Sequence, residues 1–182
     1  MFIQTETTPN PNTLKFIPGR TVMERGTRDF ADAVAAAASP LAGRLFAIDS
    51  VVRVFFGSDF ITVGKQPDME WTVLKPQILA AIMDHFTSGA AVLSTEAVAD
   101  GNDDQDSDVV KQIKELLETR VRPAVANDGG DIVFRRFEDG VVYLHMQGAC
   151  SGCPSSTATL KHGIQNMLRY YVPEVQDVVA VD

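Results

Sequence analysis

The residues that could do chemistry in this chain are two cysteines separated by two residues, Cys150 and Cys153, in the stretch "GACSGCPSSTATLKHGI" of residues 148–164. Thiolate pairs at this spacing occur in zinc sites, iron–sulfur sites and dithiol redox centres. Cubane clusters and structural zinc sites take about four protein ligands. Because the sequence has no other cysteine, one chain supplies only half of such a ligand set.

The three histidines of the chain are the remaining candidates for the missing ligands. His145 alternates with apolar residues along a predicted strand, so we expect it on the surface side of that strand. His162 lies well inside the helix predicted after the cysteines, and His85 belongs to the other half of the chain. Four ligands are obtained most simply if two copies of the chain each contribute Cys150 and Cys153 to one shared cluster, since two-fold pairing is the commonest oligomer symmetry.

The surroundings of the cysteine pair favour negative charge. A predicted strand ends near Gly148 and a helix is predicted to begin near Pro154, so the first-turn N–H groups of Ser155 and Ser156 should point towards the sulfurs. A helix N-terminus stabilises anions and lowers the pKa of a nearby thiol. The hydroxyls around the pair, including that of Thr157, are further candidate donors to the sulfurs.

Three interpretations of the pair stay open on these grounds. The first is a bridging iron–sulfur cluster or another metal, with zinc as the nearest competitor. The second is a dithiol redox centre of the thioredoxin type, against which stands the absence of a βαβ pattern around the pair. The third is a pair of reduced cysteines with only a packing role, against which stand the glycines and hydroxyls gathered at a helix start.

The elements that position the pair belong to the second half of the chain, residues 109–182, with the predicted order α-β-β-α-β. The first helix covers "VVKQIKELLETRVRPAV" with Asp108 as its N-cap. The turn "NDGGD" follows, and both of its glycines are expected to accept positive φ. Asp128 and Asp131 of this turn are interpreted as groups that cap backbone N–H donors rather than as an acid–base pair. The hairpin after it closes through a three-residue loop, 138–140.

The first half, residues 1–93, is predicted to mix strands and helices as well. Short strands in "FIQTET" and "TLKFIPG" flank a stiff turn, and "DFADAVAAAA" is predicted as a helix that begins at Asp29 and stops at Ser39-Pro40. A hairpin over "VVRVFFGSDFITVGK" and a helix over "EWTVLKPQILAAIMDHF" follow. Residues 94–108 carry six acidic and no basic residues, which predicts a flexible linker. The fold class is therefore α+β, with two small mixed domains joined by an acidic linker.

The composition excludes several classes of function. The hydrophobic fraction of 45% and charged fraction of 22% are typical of a globular protein, and the net charge of −8 argues against nucleic-acid binding. We expect no membrane-spanning helix, because no apolar run approaches about 18 residues. The opening residues show neither a signal peptide nor a transit peptide, which predicts a cytoplasmic protein. Phosphate loops, metalloprotease motifs and nucleophile elbows are also missing from the sequence, so no enzymatic activity is expected.

The second half resembles a known family on the residues quoted above. "NDGGD", a hairpin, "GACSGCPSSTATLKHGI" and "VPEV" follow one another over about residues 109–181 as in the NifU C-terminal domain, also called the Nfu domain. The opening "TETTPNPNTLKFIPG" resembles the separate N-terminal domain of Nfu proteins. The two resemblances together cover nearly the whole chain apart from the acidic linker.

The resemblance implies a scaffold or carrier that receives an iron–sulfur cluster from upstream assembly proteins and delivers it to apo iron–sulfur client proteins. In the family, a 4Fe–4S cluster is bridged between two protomers, and its ligand positions match Cys150 and Cys153 here. A homodimer is thus implied for the cluster-loaded state. The family's acidic and glycine residues of the turn match the stretch 128–131, for which we expect a structural role. The chain has too few cysteines for the scaffold and ferredoxin-like domains of full-length NifU, so a dedicated role in nitrogenase maturation is not implied.

Overall fold

The computed structural model describes residues 1–94, 106–151 and 154–181, with side chains from residue 157 onward in the last range. It divides the chain into two compact units, Met1–Ala99 and Asp100–Asp182. Each unit has its own sheet and its own helices, which confirms the predicted α+β class. Most of the predicted acidic linker, residues 95–105, lies outside the described residues. The helices within these ranges include none that is long and apolar enough to cross a membrane.

The first unit is an antiparallel sheet covered on one face by helices. Its strands are β1 (Gln4–Thr7), β2 (Thr13–Ile17), β3 (Arg28–Phe30), β4 (Val51–Phe56) and β5 (Ile61–Lys65), in the order β1-β2-β5-β4-β3. A short 3-10 turn (Ala35–Ala38) precedes α1 (Pro40–Phe46), and α2 spans Trp71–Ser88. The core joins Phe16, Val54, Phe56, Ile61 and Val63 of the sheet to Leu74, Ile78 and Ile82 of α2. The two predicted strands of the opening segment and the predicted 51–65 hairpin are therefore confirmed.

The helix predicted from Asp29 to Ser39-Pro40 is wrong. Asp29 lies in β3, where its carboxylate accepts hydrogen bonds from Arg53 Nε at 2.9 Å and Nη2 at 2.6 Å. Ser39 is instead the N-cap of α1, since its hydroxyl accepts the Ala42 N–H at 3.1 Å, and Pro40 is in the first turn. Serine is a favourable N-cap and proline a favourable first residue, so the same pair marks a helix start as readily as a stop.

The second unit follows the predicted order of elements. Helix α3 (Asp108–Leu116) runs through a π-helical segment (Leu117–Val121) into α4 (Arg122–Asn127). Strands β6 (Gly130–Glu138) and β7 (Val141–Gly148), helix α5 (Pro154–Tyr171) and strand β8 (Asp177–Val181) come next. The sheet order is β6-β7-β8, with β6 antiparallel and β8 parallel to β7. The predicted pattern α-β-β-α-β is confirmed. The expected absence of a βαβ pattern around the cysteine pair is wrong, because α5 connects the parallel strands β7 and β8.

Two local predictions in this unit need correction. The N-cap of α3 is Ser107, whose hydroxyl accepts the Val110 N–H at 3.4 Å, and Asp108 is the first helical residue. The β6–β7 hairpin closes through two residues, Asp139 (φ 51°) and Gly140 (φ 77°), rather than three. Positive φ at both positions defines the type I′ turn, whose twist matches that of the flanking strands.

The helices of the second unit pack on one face of its sheet. Ile113, Leu117, Val121 and Val125 on one side and Ile164 and Leu168 on the other bury against Ile132, Val142, Leu144, Met146 and Val178. The π-helical segment ends two residues before Pro123, which has no N–H and whose ring excludes a carbonyl four residues earlier from the normal ladder. The widened turn therefore has a local cause, and it sets the direction in which α4 and Arg122 continue.

Candidate functional site

Cys150 lies two residues after the end of β7, in the turn that leads towards α5. Its exposure is 7%, and its side chain belongs to the hydrophobic core of the second unit. Cys153, together with Gly152, lies outside the described residues, so its ligand role stays a prediction. The sequence motif thus contributes one sulfur whose surroundings are defined, and that sulfur is packed inwards.

The turn "NDGGD" lies directly against Cys150. A Cβ atom placed on Gly130 would stand 2.6 Å from Cys150 Sγ, 2.7 Å from the Gln147 carbonyl oxygen and 3.1 Å from the Cys150 nitrogen. These distances leave no room for a side chain. The prediction of positive φ holds for Gly129 (φ 79°) but is wrong for Gly130, which starts β6 opposite Gly148. Gly130 is required because the cysteine approaches closely, not because of a turn conformation.

Three hydrogen bonds hold the backbone around Cys150. The Ala149 N–H donates to the Gly129 carbonyl at 3.2 Å, and the Ser151 N–H donates to the Gly148 carbonyl at 3.1 Å. The Thr157 hydroxyl donates to the Cys150 carbonyl at 3.1 Å. The sequence indicated Thr157 as a donor to sulfur, but in the structure it fixes the cysteine backbone to α5. The predicted start of α5 at Pro154 is confirmed, whereas the approach of its first-turn amides to the sulfurs stays a prediction.

Asp131 is the second buried group beside this turn, with 3% exposure. Arg122 of α4 grips its carboxylate with both arms of the guanidinium, Nε to Oδ1 at 2.8 Å and Nη2 to Oδ2 at 2.7 Å. The third arm, Nη1, donates to Glu118 Oε2 at 2.6 Å. The hydrogen bond with Asp131 is the main cause of a pKa of Arg122 that is raised above its usual range. This charge pair keeps the start of β6 attached to α4.

Sequence reasoning finds part of this arrangement and misses the rest. The structural role expected for Asp131 takes the form of a buried ion pair, in addition to a bond from the Ile132 N–H at 2.8 Å. Asp128 is exposed, so the two carboxylates do not share one environment. No sequence motif points to Arg122. The available signal is an arginine near the end of the predicted helix, followed after the turn by an aspartate at the start of a strand.

The histidines are placed in three different settings. His145 Nδ1 lies 3.2 Å from the Val181 carbonyl oxygen of β8, and His162 is exposed on α5. His85 is fully buried in the first unit, and neither ring nitrogen meets a hydrogen-bond partner in the described part of the chain. Burial, assisted by the nearby charge of Arg44, lowers the pKa of His85. Residues 1–94, 106–151 and 154–181 contain no cluster of three or more histidines, cysteines and carboxylates able to hold a metal.

Both units match models of known protein families. Residues 3–89 match the family described as scaffold protein Nfu/NifU N terminal, and residues 113–179 match the NifU-like domain. These ranges fall in the first and second compact units respectively. Each family model therefore corresponds to one of the two folded parts of the chain.

Similar proteins are known along the whole length of the chain. It is 54% identical over 183 residues to the human protein named NFU1 iron–sulfur cluster scaffold homolog, mitochondrial, a match that covers 100% of this chain and 72% of that protein. It is 55% identical over 184 residues to NifU-like protein 4, mitochondrial, of Arabidopsis thaliana, covering 98% of this chain and 65% of that protein. A solution NMR structure of a NifU-like protein from Saccharomyces cerevisiae is 27% identical with a TM-score of 0.48, covering 53% of this chain and 87% of that one.

The expectation of a cytoplasmic protein is wrong. The human and Arabidopsis relatives are named mitochondrial, as are relatives from several Drosophila species. The expectation was based on the opening residues alone, and their sequence does not indicate the compartment that the names of these relatives give. Taken together, the two family matches and the full-length identity show that the chain belongs to the Nfu/NifU-like family of iron–sulfur cluster scaffold proteins.

Proposed function

We propose that the protein holds a 4Fe–4S cluster between two copies of the chain, with Cys150 and Cys153 of each copy as the ligands, and delivers it to apo-proteins. The observation that carries the proposal is the position of Cys150 in the turn between β7 and α5, in a motif that has its second cysteine three residues later. The scaffold names of the full-length relatives support the same cargo.

The chemistry of delivery is exchange of thiolate ligands. Each chain contributes two of the four thiolates, so a client can replace one chain's ligands while the other chain still holds the cluster. The protein supplies sulfur ligands and the fold that presents them, and no bond of a substrate needs to be broken by an acid, a base or a nucleophile. We therefore propose a carrier that is loaded by an upstream assembly protein, not an enzyme.

Anaerobic reconstitution followed by iron and sulfide counting tests this function. We expect about two irons and two sulfides per chain, since one 4Fe–4S cluster is shared by two chains. Cys150→Ala and Cys153→Ala should each abolish the bound iron. His162→Ala is the control, because His162 is exposed and has no part in the proposed site.

The same measurement separates the competing chemistries. If the protein purified without air contains zinc and no iron, the cysteines form a zinc site and do not hold a cluster. A reversible disulfide between the cysteines, with reductase activity and no iron, would favour the dithiol interpretation. Full iron content in either cysteine variant would contradict the proposed ligand set.

A further inference from the structure

The thiol of Cys150 occupies a closed seat in the cluster-free chain. Only 7% of the residue is exposed, and it is part of the same buried cluster as Ile132 and Met146. The missing side chain of Gly130 makes the space that its sulfur fills. A sulfur in this seat cannot reach a cluster shared with a second chain, so the turn that carries Cys150 must open before it can bind.

The wall of the seat is attached to helix α4 by the Asp131–Arg122 ion pair and by the backbone, since the Asp128 and Gly129 N–H groups each donate to an α4 carbonyl at 3.0 Å. Gly130 is the residue before Asp131, and the adjoining Gly129 carbonyl accepts the Ala149 N–H. Asp131 is held in turn by the two-armed contact from Arg122. Removing one partner of a buried ion pair leaves an uncompensated charge, which is strongly destabilising for the local structure. The ion pair is the side-chain part of this attachment, so its loss should make the wall easier to displace.

Arg122 itself is fixed from two sides. The π-helical segment ends at Val121, so Arg122 starts α4 immediately after the widened turn. Glu118, one turn earlier, accepts the remaining guanidinium arm. Flat, two-armed geometry of this kind belongs to arginine and is not reproduced by lysine.

We propose that Arg122 is a positioning residue that, through Asp131, holds Cys150 in its buried seat and so favours the cluster-free state of the chain. The consequence for delivery rests on the proposed function, because it takes Cys150 as a cluster ligand. The effect of Arg122 on the burial of Cys150 does not depend on the proposed function. When the cluster leaves, Cys150 returns to its buried position. The packing contacts that it regains there stabilise the cluster-free chain and make release more favourable.

The first test is the alkylation rate of Cys150 in the cluster-free full chain carrying Cys153→Ser, measured with iodoacetamide at one fixed pH. The folded protein should react much more slowly than the same protein unfolded in urea. Arg122→Lys and Asp131→Asn should each raise the rate of the folded protein, by about tenfold if the pair contributes about 1.4 kcal/mol to closing the seat. Glu118→Gln keeps both bonds between Arg122 and Asp131 and weakens only the third contact of Arg122, so it should raise the rate less than Arg122→Lys does.

The chain offers a matched control in its first unit. Arg53 grips Asp29 in the same two-armed manner, at 2.9 and 2.6 Å. Arg53→Lys should therefore leave the alkylation of Cys150 unchanged. Urea separates local opening from global unfolding, because labelling through local opening hardly responds to low urea whereas labelling through unfolding rises with it. An unchanged rate in folded Arg122→Lys, or an increase seen only as urea rises, overturns the proposal.

The second test links the seat to delivery. Reconstituted Arg122→Lys should bind the full cluster but lose it to a competing dithiol more slowly than the original protein, because its cluster-free state is less favourable. Faster loss would overturn the proposal even if the alkylation result holds. Failure of the proposed function has a different signature, since in that case Cys150→Ala would keep its iron whatever the alkylation rates are.

Discussion

A single missing methyl group at Gly130 determines whether Cys150 can take its position. The cysteine pair alone predicts half of a four-ligand site, because ligand type and spacing are local properties of the sequence. The closeness of Gly130 to Cys150 is not local, since twenty positions separate the two residues along the chain. It arises from the pairing of Gly130 with Gly148 across the β6–β7 hairpin, and only the register shows it.

Substitution of Gly130 by alanine tests this contact. The new Cβ would meet Cys150 Sγ at 2.6 Å and a backbone oxygen at 2.7 Å, so the cysteine turn must shift. We expect Gly130→Ala to lower the free energy of unfolding by about 1–3 kcal/mol, as for other overpacked positions, and to raise the alkylation rate of Cys150 in the cluster-free protein.

Gly163→Ala is the matched control for that substitution. Gly163 lies on α5, and a Cβ added there would have nothing within 4 Å of it. Alanine at this position should therefore leave the alkylation rate of Cys150 unchanged and stabilise the helix by up to about 1 kcal/mol. Thermal unfolding and Cys150 alkylation of both variants provide the measurement. Equal alkylation rates in the two variants would contradict the close-contact role of Gly130.

His85 gives the first unit a predictable response to acid. Its pKa in the folded state is lowered below 6.5, first by burial and then by Arg44. The unfolded state therefore takes up a proton at a higher pH than the folded state does. The contribution of His85 to the stability of the first unit should therefore be constant above pH 6.5. It should fall as the pH drops from 6.5 towards the pKa of His85 in the folded state.

Urea unfolding at about pH 7.5 and about pH 5.5, on either side of the ordinary histidine pKa, checks the histidine prediction. His85→Gln cannot gain charge and should show a smaller loss of stability between the two pH values. His162→Gln removes an exposed histidine and should behave like the original protein. An identical pH dependence in His85→Gln and the original protein would contradict the assignment to His85.

At the scale of elements, amphipathic periodicity and turn residues predict most of the secondary structure, including the order α-β-β-α-β around the site. The predictions of secondary structure are wrong where one sequence pattern is compatible with two different structures. Ser39-Pro40 marks a helix start as well as a stop, and the alanine run before it forms only a 3-10 turn. The π-helical segment before Arg122 is equally hidden, because the apolar periodicity predicts one continuous helix through Pro123.

The cap of α1 is tested by Ser39→Ala. The Ser39 hydroxyl accepts the Ala42 N–H and donates to the Val92 carbonyl, so its loss leaves two backbone groups without this partner. We expect the first unit to lose about 1 kcal/mol of stability, the usual effect of removing an N-cap. Ser58→Ala, at an exposed hairpin position, should change the urea midpoint little. Equal effects of the two substitutions would contradict the capping role.

At the scale of the whole molecule, each unit has its own sheet and core, and the proposed cluster ligands lie in the second one only. We propose a division of labour in which residues 1–93 recognise partners or modulate dimer stability. The domain boundaries predicted from the sequence, 93/94 and 108/109, stay a prediction, because most of the intervening segment lies outside the described residues.

Deletion of residues 1–93 tests the division of labour. The remaining protein should still bind cluster, because its core and both cysteines are retained. Transfer rates to a panel of apo-proteins should fall for some acceptors and not for others. Unchanged transfer to every acceptor would count against a role of the first unit in recognition.

Native mass spectrometry of the anaerobically reconstituted protein tests whether two chains share one cluster. We expect one species with the mass of two chains plus a single 4Fe–4S cluster, which separates into single chains when the cluster is removed or when Cys150 is replaced by alanine. A single chain that carries a complete 4Fe–4S cluster would overturn the proposed function.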